Sequence, residues 1–266
     1  MGDFWKEKTC LPERAGYALF SAKYFLALAL AVLVMAAAVA AFGRQDQKRK
    51  ETLCRVFAWV PLGMEILKFI VLLSQGCCTP NYYPLGFCSL VIYVYPVYVL
   101  AKNDGVRRAA RCIICMGTLP AGLAALLFPN WIGDYRFLSY FSLHSYIWHT
   151  LMLIYPLWTW QKDRETFRFR NIAQGYAAVL ILVPFIILIN RRFGTNYWFL
   201  SEPTANHPLA AVYHAVGAGA YFAVLVLIGM VIPALFGLLE NALIPRLLPK
   251  ARTGSEDPPG PADINR

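Results

Sequence analysis

Charged residues are scarce in this sequence, and their scarcity excludes an ordinary soluble domain. Only 15% of the 266 residues are Asp, Glu, Lys or Arg, whereas 58% are hydrophobic and the mean hydropathy is +0.48. Soluble domains carry about 25% charged and about 45–50% apolar residues. A large part of any soluble fold of this size stays exposed to water. This large number of apolar side chains therefore requires lipid as a solvent.

Other absences narrow the class of protein further. The first 18 residues mix charges with a proline, and the apolar run that follows is too long for a signal peptide, so we expect no cleavage there. No repeat of fixed period is visible. The last apolar run, residues 209–239, contains no lysine and therefore excludes a retinal-binding protein. The net charge of +10 does not indicate nucleic acid, because Lys and Arg cluster in short gaps between apolar runs.

Seven apolar runs are long enough, or nearly so, to cross a bilayer, since a helix needs about 20 residues to span about 30 Å. The sequence predicts an all-α membrane protein, a seven-transmembrane helix bundle over residues 18–240. Residues 1–17 form an outer N-terminal segment, and residues 241–266 form a cytoplasmic tail whose end is disordered. Pro96 and Pro120 predict kinks in the third and fourth spans. The runs are residues 18–42, 53–75, 83–101, 107–128, 137–160, 171–190 and 209–239.

Positive charge predicts the orientation of the bundle. The gaps after the first, third and fifth runs, together with the C-terminal tail, hold 17 of the 25 Lys and Arg residues. The alternate gaps and the N-terminal segment hold seven, and Lys68 lies inside a run. Since cytoplasmic loops are enriched in Lys and Arg, we expect the N-terminus outside and the C-terminus in the cytoplasm. The predicted location is a multi-pass membrane protein, of the plasma membrane in a bacterium or the endoplasmic reticulum in a eukaryote.

Ionisable or reactive side chains inside the predicted spans are the candidate functional residues, because charge is costly in lipid. They are Glu65 and Lys68 in the second span, Cys88 in the third, His144 and His149 in the fifth, and His214 in the seventh. A rise of 1.5 Å per residue places most of them about 7–10 Å below the outer surface, with Glu65 and His149 about 15–18 Å deep. His144 and His149 are about 140° apart around a regular helix, so they point in different directions.

A thiol, an imidazole and a carboxylate together are the groups used in nucleophilic acyl transfer. The imidazole removes the thiol proton, the thiolate attacks an ester carbonyl, and the carboxylate orients the imidazole. Structural alternatives stay open for each group. Cys88 can be a packing residue, Glu65 and Lys68 can pair with each other, and the histidines can form interhelical hydrogen bonds.

The cysteines form two close pairs within an odd total of seven. Cys77-Cys78 and Cys112-Cys115 are each compatible with a disulfide or half of a metal site. The second pair has no matching ligand pair elsewhere, so packing thiols in a membrane helix are the favoured interpretation. We expect neither a metal nor another cofactor.

Four features in order along the chain resemble one family of membrane proteins. They are Glu65 in the second span, the PLGFCSL stretch at 84–90, the FSLHSYIWHT stretch at 141–150 and the GTNYWFL loop at 194–200. This succession resembles the YwaF-type integral membrane proteins, the family that also contains vertebrate transmembrane protein 164. The resemblance covers about residues 18–240, and the loop is its most distinctive part.

The resemblance implies a seven-span bundle and a cysteine-dependent acyltransferase that moves acyl chains between phospholipids. Cys88 matches the acyl-accepting cysteine, and His149 or His144 matches the histidine of the fifth helix. One position departs from the pattern. Many bacterial members read Leu-His-x-Cys before the third helix, whereas this chain has Gly86 at the histidine position. If that histidine is a catalytic base, another imidazole must replace it here.

Two functions of different classes follow. The first is an intramembrane acyltransferase or lipid hydrolase in which Cys88 forms a thioester, His149 or His144 is the base and Glu65 orients it. The candidate substrate-binding residues are Lys68, Asn196 and Tyr197. The alternative is a non-enzymatic small transporter or lipid- or ligand-sensing protein with a buried polar network. In both, membrane lipids are the expected substrate or ligand, and nucleic acid is not a partner. An assembly or scaffold role is a third possibility.

Overall fold

A computed structural model describes residues 3–11, 15–164, 167–203 and 209–247. The regular secondary structure of these residues is helical, with no strand among them. The α-helices are α1 (Ala22–Gly43), α2 (Gln47–Phe57), α3 (Val60–Ser74), α4 (Val91–Leu100), α5 (Asp104–Cys112), α6 (Leu119–Leu127), α7 (Tyr140–Asp163), α8 (Phe169–Phe193) and α9 (Leu209–Leu247). A π-helical turn, Ile113–Thr118, joins α5 to α6, and a 3₁₀ turn, Phe87–Leu90, precedes α4. The end of the tail that the sequence predicts to be disordered lies outside the described residues.

Five helices in the described part of the chain are long and apolar enough to cross a membrane. They are Ala22–Gly43, Gln47–Ser74, Asp104–Leu127, Phe169–Phe193 and Leu209–Leu243. The prediction of an all-α, multi-pass membrane protein is therefore confirmed. Two predicted spans do not meet the same criterion. The apolar helix Phe87–Leu100 is shorter, and α7 is long enough but rich in polar and aromatic residues.

The helix α7 is the centre of the bundle, which explains its composition. It packs against α1, α2, α6 and the π-helical turn. Trp158 stacks on Phe42 with 4.5 Å between ring centroids, and Tyr155 donates a hydrogen bond to Cys54 O over 3.0 Å. By contrast, only 11% of the apolar 18-residue stretch of α8, and 6% of that of α9, is buried within the protein. Because protein covers much of α7, this helix carries polar and aromatic side chains that would be costly on a helix exposed to lipid.

The two prolines behave differently from one another. Pro120 stands in the first turn of α6, directly after the π-helical turn, so the regular α-helix is interrupted where the sequence predicts a kink. Pro96 lies inside α4, which continues through it as one helix. A π-helical turn inserts one residue into the α-helical ladder, and such turns are frequent at functional sites.

The N-terminal cap, residues 3–11, covers the end of the bundle where α3 stops and α7 starts. Glu7 N donates to Gln75 Oε1 over 2.9 Å, and Gln75 Nε2 donates back to Trp5 O over 2.7 Å. Tyr140 N donates to Phe4 O over 2.8 Å. These backbone contacts make the cap an integral part of the fold.

Glu7 gives the docking of this cap a predictable pH dependence. Its side chain is 1% exposed, and burial alone would raise its pKa. Hydrogen bonds from Thr9 N, Thr9 Oγ1 and Tyr82 OH outweigh burial and lower the pKa of Glu7 below its ordinary value of 4.5. A depressed pKa stabilises the folded state fully above pH 4.5, and the stabilisation disappears as the pH falls through the lower, folded-state pKa. We expect the melting temperature in detergent to fall below pH 4.5, and to fall less steeply in Glu7→Gln. Identical pH profiles for both proteins would contradict this assignment.

Candidate functional site

The backbone that leads to Cys88 is held by side chains from distant parts of the chain. This entry segment, residues 80–88, is largely without α-helical hydrogen bonds, so its carbonyls need other donors. The Tyr197 hydroxyl donates to Pro80 O and Tyr83 O, and Lys68 Nζ donates to Tyr82 O. The Tyr93 hydroxyl donates to Pro84 O, and Trp198 Nε1 donates to Leu85 O. Trp148 Nε1 donates to the carbonyl of Cys88 itself. Donors from α3, α4, α7 and the GTNYWFL loop therefore fix the position of Cys88 together.

The signature loop, Gly194–Leu200, is in turn anchored by Asn190 at the end of α8. Asn190 Oδ1 accepts from Thr195 Oγ1 over 2.9 Å and from Tyr197 N over 2.8 Å. Asn190 Nδ2 donates to Tyr197 O over 3.0 Å, and the Asn190 side chain is buried. The sequence-based site did not include this residue. The sequence feature that could have identified Asn190 is a side-chain amide inside an apolar run, four residues before the glycine that ends the helix.

Backbone strain in the signature loop shows how tightly its conformation is specified. Trp198 has φ 61° and Phe199 has φ 54°, both in the left-handed region that non-glycine residues rarely adopt. Such a conformation persists only where surrounding contacts enforce it. Trp198 supplies two of these contacts, since its Nε1 donates to Leu85 O over 2.8 Å and its ring meets Phe87 edge-on at 5.4 Å.

Asn196 and Tyr197, two of the predicted substrate-binding residues, already have partners within the protein. Asn196 Nδ2 donates to Glu202 O over 2.6 Å, and Asn196 Oδ1 accepts from Ser201 N over 3.1 Å. The Tyr197 hydroxyl donates to the entry segment. Both residues therefore shape the loop and the approach to Cys88.

Glu65 and Lys68 form a nearly buried ion pair on α3. The distance from Lys68 Nζ to Glu65 Oε1 is 2.5 Å, and the two side chains are 15% and 6% exposed, respectively. Lys68 Nζ also donates to Tyr82 O over 3.1 Å. No hydrogen bond joins Glu65 to a histidine in the described part of the chain. The carboxylate thus holds a lysine that supports the entry segment, rather than the imidazole that the sequence analysis assigned to it.

His144 and Cys88 lie against the same indole. The His144 ring stacks on Trp148 with 5.5 Å between centroids and an interplanar angle of 23°. Trp148 Nε1 donates to the carbonyl of Cys88 over 3.4 Å. The Nε2 atom of His144 is buried without a hydrogen-bond partner among the described residues. This atom is therefore available to accept a proton or to bind a ligand.

His149 faces a different environment, as the five-residue spacing predicts. Its ring is parallel to Trp131, with 4.9 Å between centroids and an angle of 7°. Its Nδ1 lies 2.7 Å from Ser145 O. Because a carbonyl oxygen can only accept, this Nδ1 carries a proton, and in the neutral ring Nε2 carries the lone pair. His214 lies exposed on α9, in edge contact with Tyr213.

The Cys88 thiol is free and partly buried at the edge of the main hydrophobic core. Among the described residues, no hydrogen bond joins its Sγ to an imidazole. At Gly86, the position at which the sequence analysis notes a departure from the family pattern, the backbone has φ −61° and ψ 155°. A Cβ built at Gly86 would lie 3.5 Å from Ser89 Oγ, an ordinary contact. The fold therefore accepts a side chain two residues before the thiol.

A second buried polar cluster, missed by the sequence analysis, surrounds Asp163 at the other end of α7. Asp163 Oδ2 accepts from Tyr98 OH over 2.8 Å and lies 3.3 Å from Arg111 Nε, while Lys162 Nζ lies 2.8 Å from Asp163 Oδ1. Arg111 is 3% exposed, and the charge of the buried Glu240 also acts on it. The available signal was Arg111 inside a predicted span.

Comparison with known proteins assigns the family. The sequence profile of the TMEM164 family matches residues 19–239. The chain belongs to the TMEM164 family. The resemblance drawn from the motifs is thereby confirmed. Neither the comparison with curated proteins nor the comparison with solved structures gave a match. The region that matches the TMEM164 family includes Cys88, both α7 histidines and the signature loop, and excludes the N-terminal cap.

Proposed function

We propose that this chain is an intramembrane cysteine-dependent acyltransferase, or lipid hydrolase, acting on phospholipid acyl chains. The observation that carries the proposal is that Trp148 contacts both the backbone carbonyl of Cys88 and the His144 ring, while Nε2 of His144 is buried without a hydrogen-bond partner among the described residues. A thiol needs a nearby base to become a nucleophile at neutral pH. Catalytic hydrogen bonds are often long or poorly aligned in free enzymes and tighten only when substrate is bound.

In the proposed reaction, His144 Nε2 takes the proton of the Cys88 thiol, and the thiolate attacks the ester carbonyl of a phospholipid. The tetrahedral intermediate collapses, the acyl group stays on Cys88 as a thioester, and the lysophospholipid leaves with the proton from His144. The hydroxyl of a second lysophospholipid then attacks the thioester in the transferase reaction, and water attacks it in the hydrolase reaction. His144 removes the proton of this second nucleophile, and the Cys88 thiol is regenerated.

The contacts favour His144 over His149 as the base. His144 lies on the side of α7 that faces the entry segment through Trp148. His149 lies against Trp131 and is tied to Ser145 O. Glu65 supports the reaction indirectly in this proposal, because its ion pair positions the lysine that donates to Tyr82 O.

We further propose that all seven spans predicted from the sequence cross the membrane, with the N-terminus outside. The 3₁₀ turn of four residues and the ten residues of α4 span about 23 Å, shorter than a hydrocarbon core of about 30 Å. The entry segment covers the remaining depth, and non-helical backbone is tolerated there because protein donors satisfy its carbonyls. The helix α7 is long enough to cross and is shielded from lipid by its neighbours. The distribution of Lys and Arg supports the orientation.

Removing Cys88 tests the activity directly. The full-length chain is reconstituted in vesicles that contain a phospholipid with a labelled acyl chain and an unlabelled lysophospholipid. Cys88→Ala is expected to reduce acyl transfer at least about 10³-fold, since no nucleophile remains, and His144→Ala about 10²-fold or more. Cys78→Ala, which changes a partly buried thiol elsewhere, serves as the matched control and retains activity. A hydroxylamine-sensitive acyl label on Cys88 detects the thioester.

The ion pair of α3 favours a second function, a non-enzymatic transporter or lipid- or ligand-sensing protein. Glu65 and Lys68 are nearly buried and separate from the histidines in their hydrogen bonding. This function predicts that Glu65→Gln changes transport or ligand binding, whereas Cys88→Ser changes nothing. Absence of acyl transfer and of a Cys88 acyl label in the unaltered chain would reject the enzymatic proposal in favour of this one, and full acyl transfer by Cys88→Ala would reject Cys88 as the nucleophile.

A further inference from the structure

Two cysteines from different parts of the chain meet at the edge of the N-terminal cap. Cys10 Sγ and Cys77 Sγ are 3.7 Å apart. Cys10 is exposed at the end of the 3₁₀ turn Lys8–Cys10, and Cys77 follows α3. The pairs considered from the sequence were Cys77-Cys78 and Cys112-Cys115. In the structure, the sulfur of Cys77 instead contacts that of Cys10.

The backbone around both thiols is already fixed. Three residues before Cys10, Glu7 N donates to Gln75 Oε1 over 2.9 Å, and the same glutamine stands two residues before Cys77. Cys10 N donates to Glu7 O over 2.9 Å, and Cys77 N donates to Leu72 O over 3.0 Å. A disulfide requires the sulfurs to approach to about 2.05 Å. The two sulfurs therefore need to move less than about 2 Å, between segments that cross-chain hydrogen bonds hold together.

We propose that Cys10 and Cys77 form a reversible disulfide that fastens the N-terminal cap to the end of α3. The oxidant is a small or protein disulfide, such as oxidised glutathione. The thiolate of Cys10, the more exposed of the two, attacks this disulfide, and one thiolate of the oxidant leaves. Cys77 then attacks the mixed disulfide and releases the second thiolate. In total, the two cysteines lose two protons and two electrons, and the oxidant is reduced to two thiols.

The order of the two attacks follows from the environment of each thiol. Burial and the hydrogen bond with Cys10 raise the pKa of Cys77, so it remains protonated longer than an exposed thiol. Both residues lie outside the helices long enough to cross a membrane, and the orientation proposed above places them outside the cytoplasm. Disulfides persist in such oxidising compartments.

The disulfide has a structural consequence for the site. It fastens the cap that contains Glu7, and Tyr82 OH donates to the Glu7 carboxylate. Tyr82 O in turn accepts from Lys68, at the start of the entry segment to Cys88. The redox state of Cys10 and Cys77 thus acts on the contacts that position this segment.

Peptide mapping of the full-length chain in membrane vesicles tests the proposal. Vesicles are incubated with oxidised glutathione or with dithiothreitol, free thiols are blocked with N-ethylmaleimide, and linked peptides are identified by mass spectrometry. The expected result is a Cys10–Cys77 link after oxidation, which dithiothreitol removes. Cys10→Ser is expected to abolish the link, whereas Cys78→Ser is expected to retain it.

Two outcomes would overturn the proposal. One is a link in which Cys78 replaces Cys77, and the other is glutathione bound to Cys10 without any Cys10–Cys77 link. Melting temperatures of Cys10→Ser and Cys78→Ser, measured under reducing conditions, establish that both variants are folded. The same mapping in Cys88→Ala separates this proposal from the acyltransferase, because the link forms whether or not acyl transfer occurs.

Discussion

Asn190→Ala is expected to lower the free energy of unfolding by about 2–4 kcal/mol. The substitution removes three hydrogen bonds and leaves both backbone groups of Tyr197 and the hydroxyl of Thr195 without their partner. A buried polar group left unpaired costs about 1–3 kcal/mol, and water reaching the loop offsets part of the sum. Equilibrium unfolding of the purified chain in detergent by a denaturant measures the change. We expect acyl transfer to fall as well, because the signature loop holds the entry segment.

The neighbouring Asn196→Ala is the matched control for this prediction. It truncates the same type of side chain, here within the signature loop itself, but the partners of Asn196 are Glu202 O and Ser201 N in a more accessible turn. The expected loss is about 1 kcal/mol, typical of a solvent-accessible hydrogen bond. Equal losses for the two variants would show that Asn190 has no special anchoring role.

Asp163→Asn is expected to destabilise the protein by about 3–5 kcal/mol. The shape of the side chain is kept, but Arg111, which is 3% exposed, loses its ion pair with Asp163. Removing one partner of a buried ion pair is costly because the other charge stays buried. The same denaturant unfolding experiment measures the effect. Adding Arg111→Met to Asp163→Asn is expected to recover part of the loss, since the double variant no longer buries a guanidinium that has lost its ion pair with Asp163.

An exposed ion pair on the same side of the bundle provides the comparison. Asp104 and Arg107 are separated by 2.8 Å but have side chains 62% and 48% exposed. Asp104→Asn is expected to change stability by no more than about 1 kcal/mol, as is usual for solvent-exposed pairs. A loss of similar size at Asp104 and Asp163 would show that burial of the cluster does not determine its contribution.

The helical architecture was predictable because lipid imposes a simple requirement on sequence. Each predicted apolar run lies on a helical segment of the structure, and five of the helices are long and apolar enough to cross a membrane. The different directions of His144 and His149 also followed from helix geometry alone. These features depend on contacts within a single helix, whose spacing is written directly in the sequence.

The partners of the polar residues were much less predictable. The sequence placed Glu65 and Lys68 on one face, which is confirmed by their ion pair, but it assigned Glu65 to an imidazole as well. The anchoring role of Asn190 and the docking of the N-terminal cap depend on loops that return to other helices. No local pattern encodes such contacts. The position of α7 inside the bundle also depends on contacts between distant parts of the chain. The hydropathy of a helix does not reveal whether other helices will surround it.

The π-helical turn Ile113–Thr118 makes the residue count between α5 and α6 a structural constraint. A regular α-helix advances about 100° per residue, so deleting one residue here would restore the ordinary ladder while rotating α5 by that angle relative to α6. Arg111 would then turn away from Asp163, its ion-pair partner. Gly122 on α6 would keep its close approach to α7, since a Cβ at Gly122 would lie only 2.8 Å from the Cβ of Met152. The extra residue therefore sets the phase between the two halves of this helix. It lets one half meet the charges near the end of α7 while the other packs against its middle.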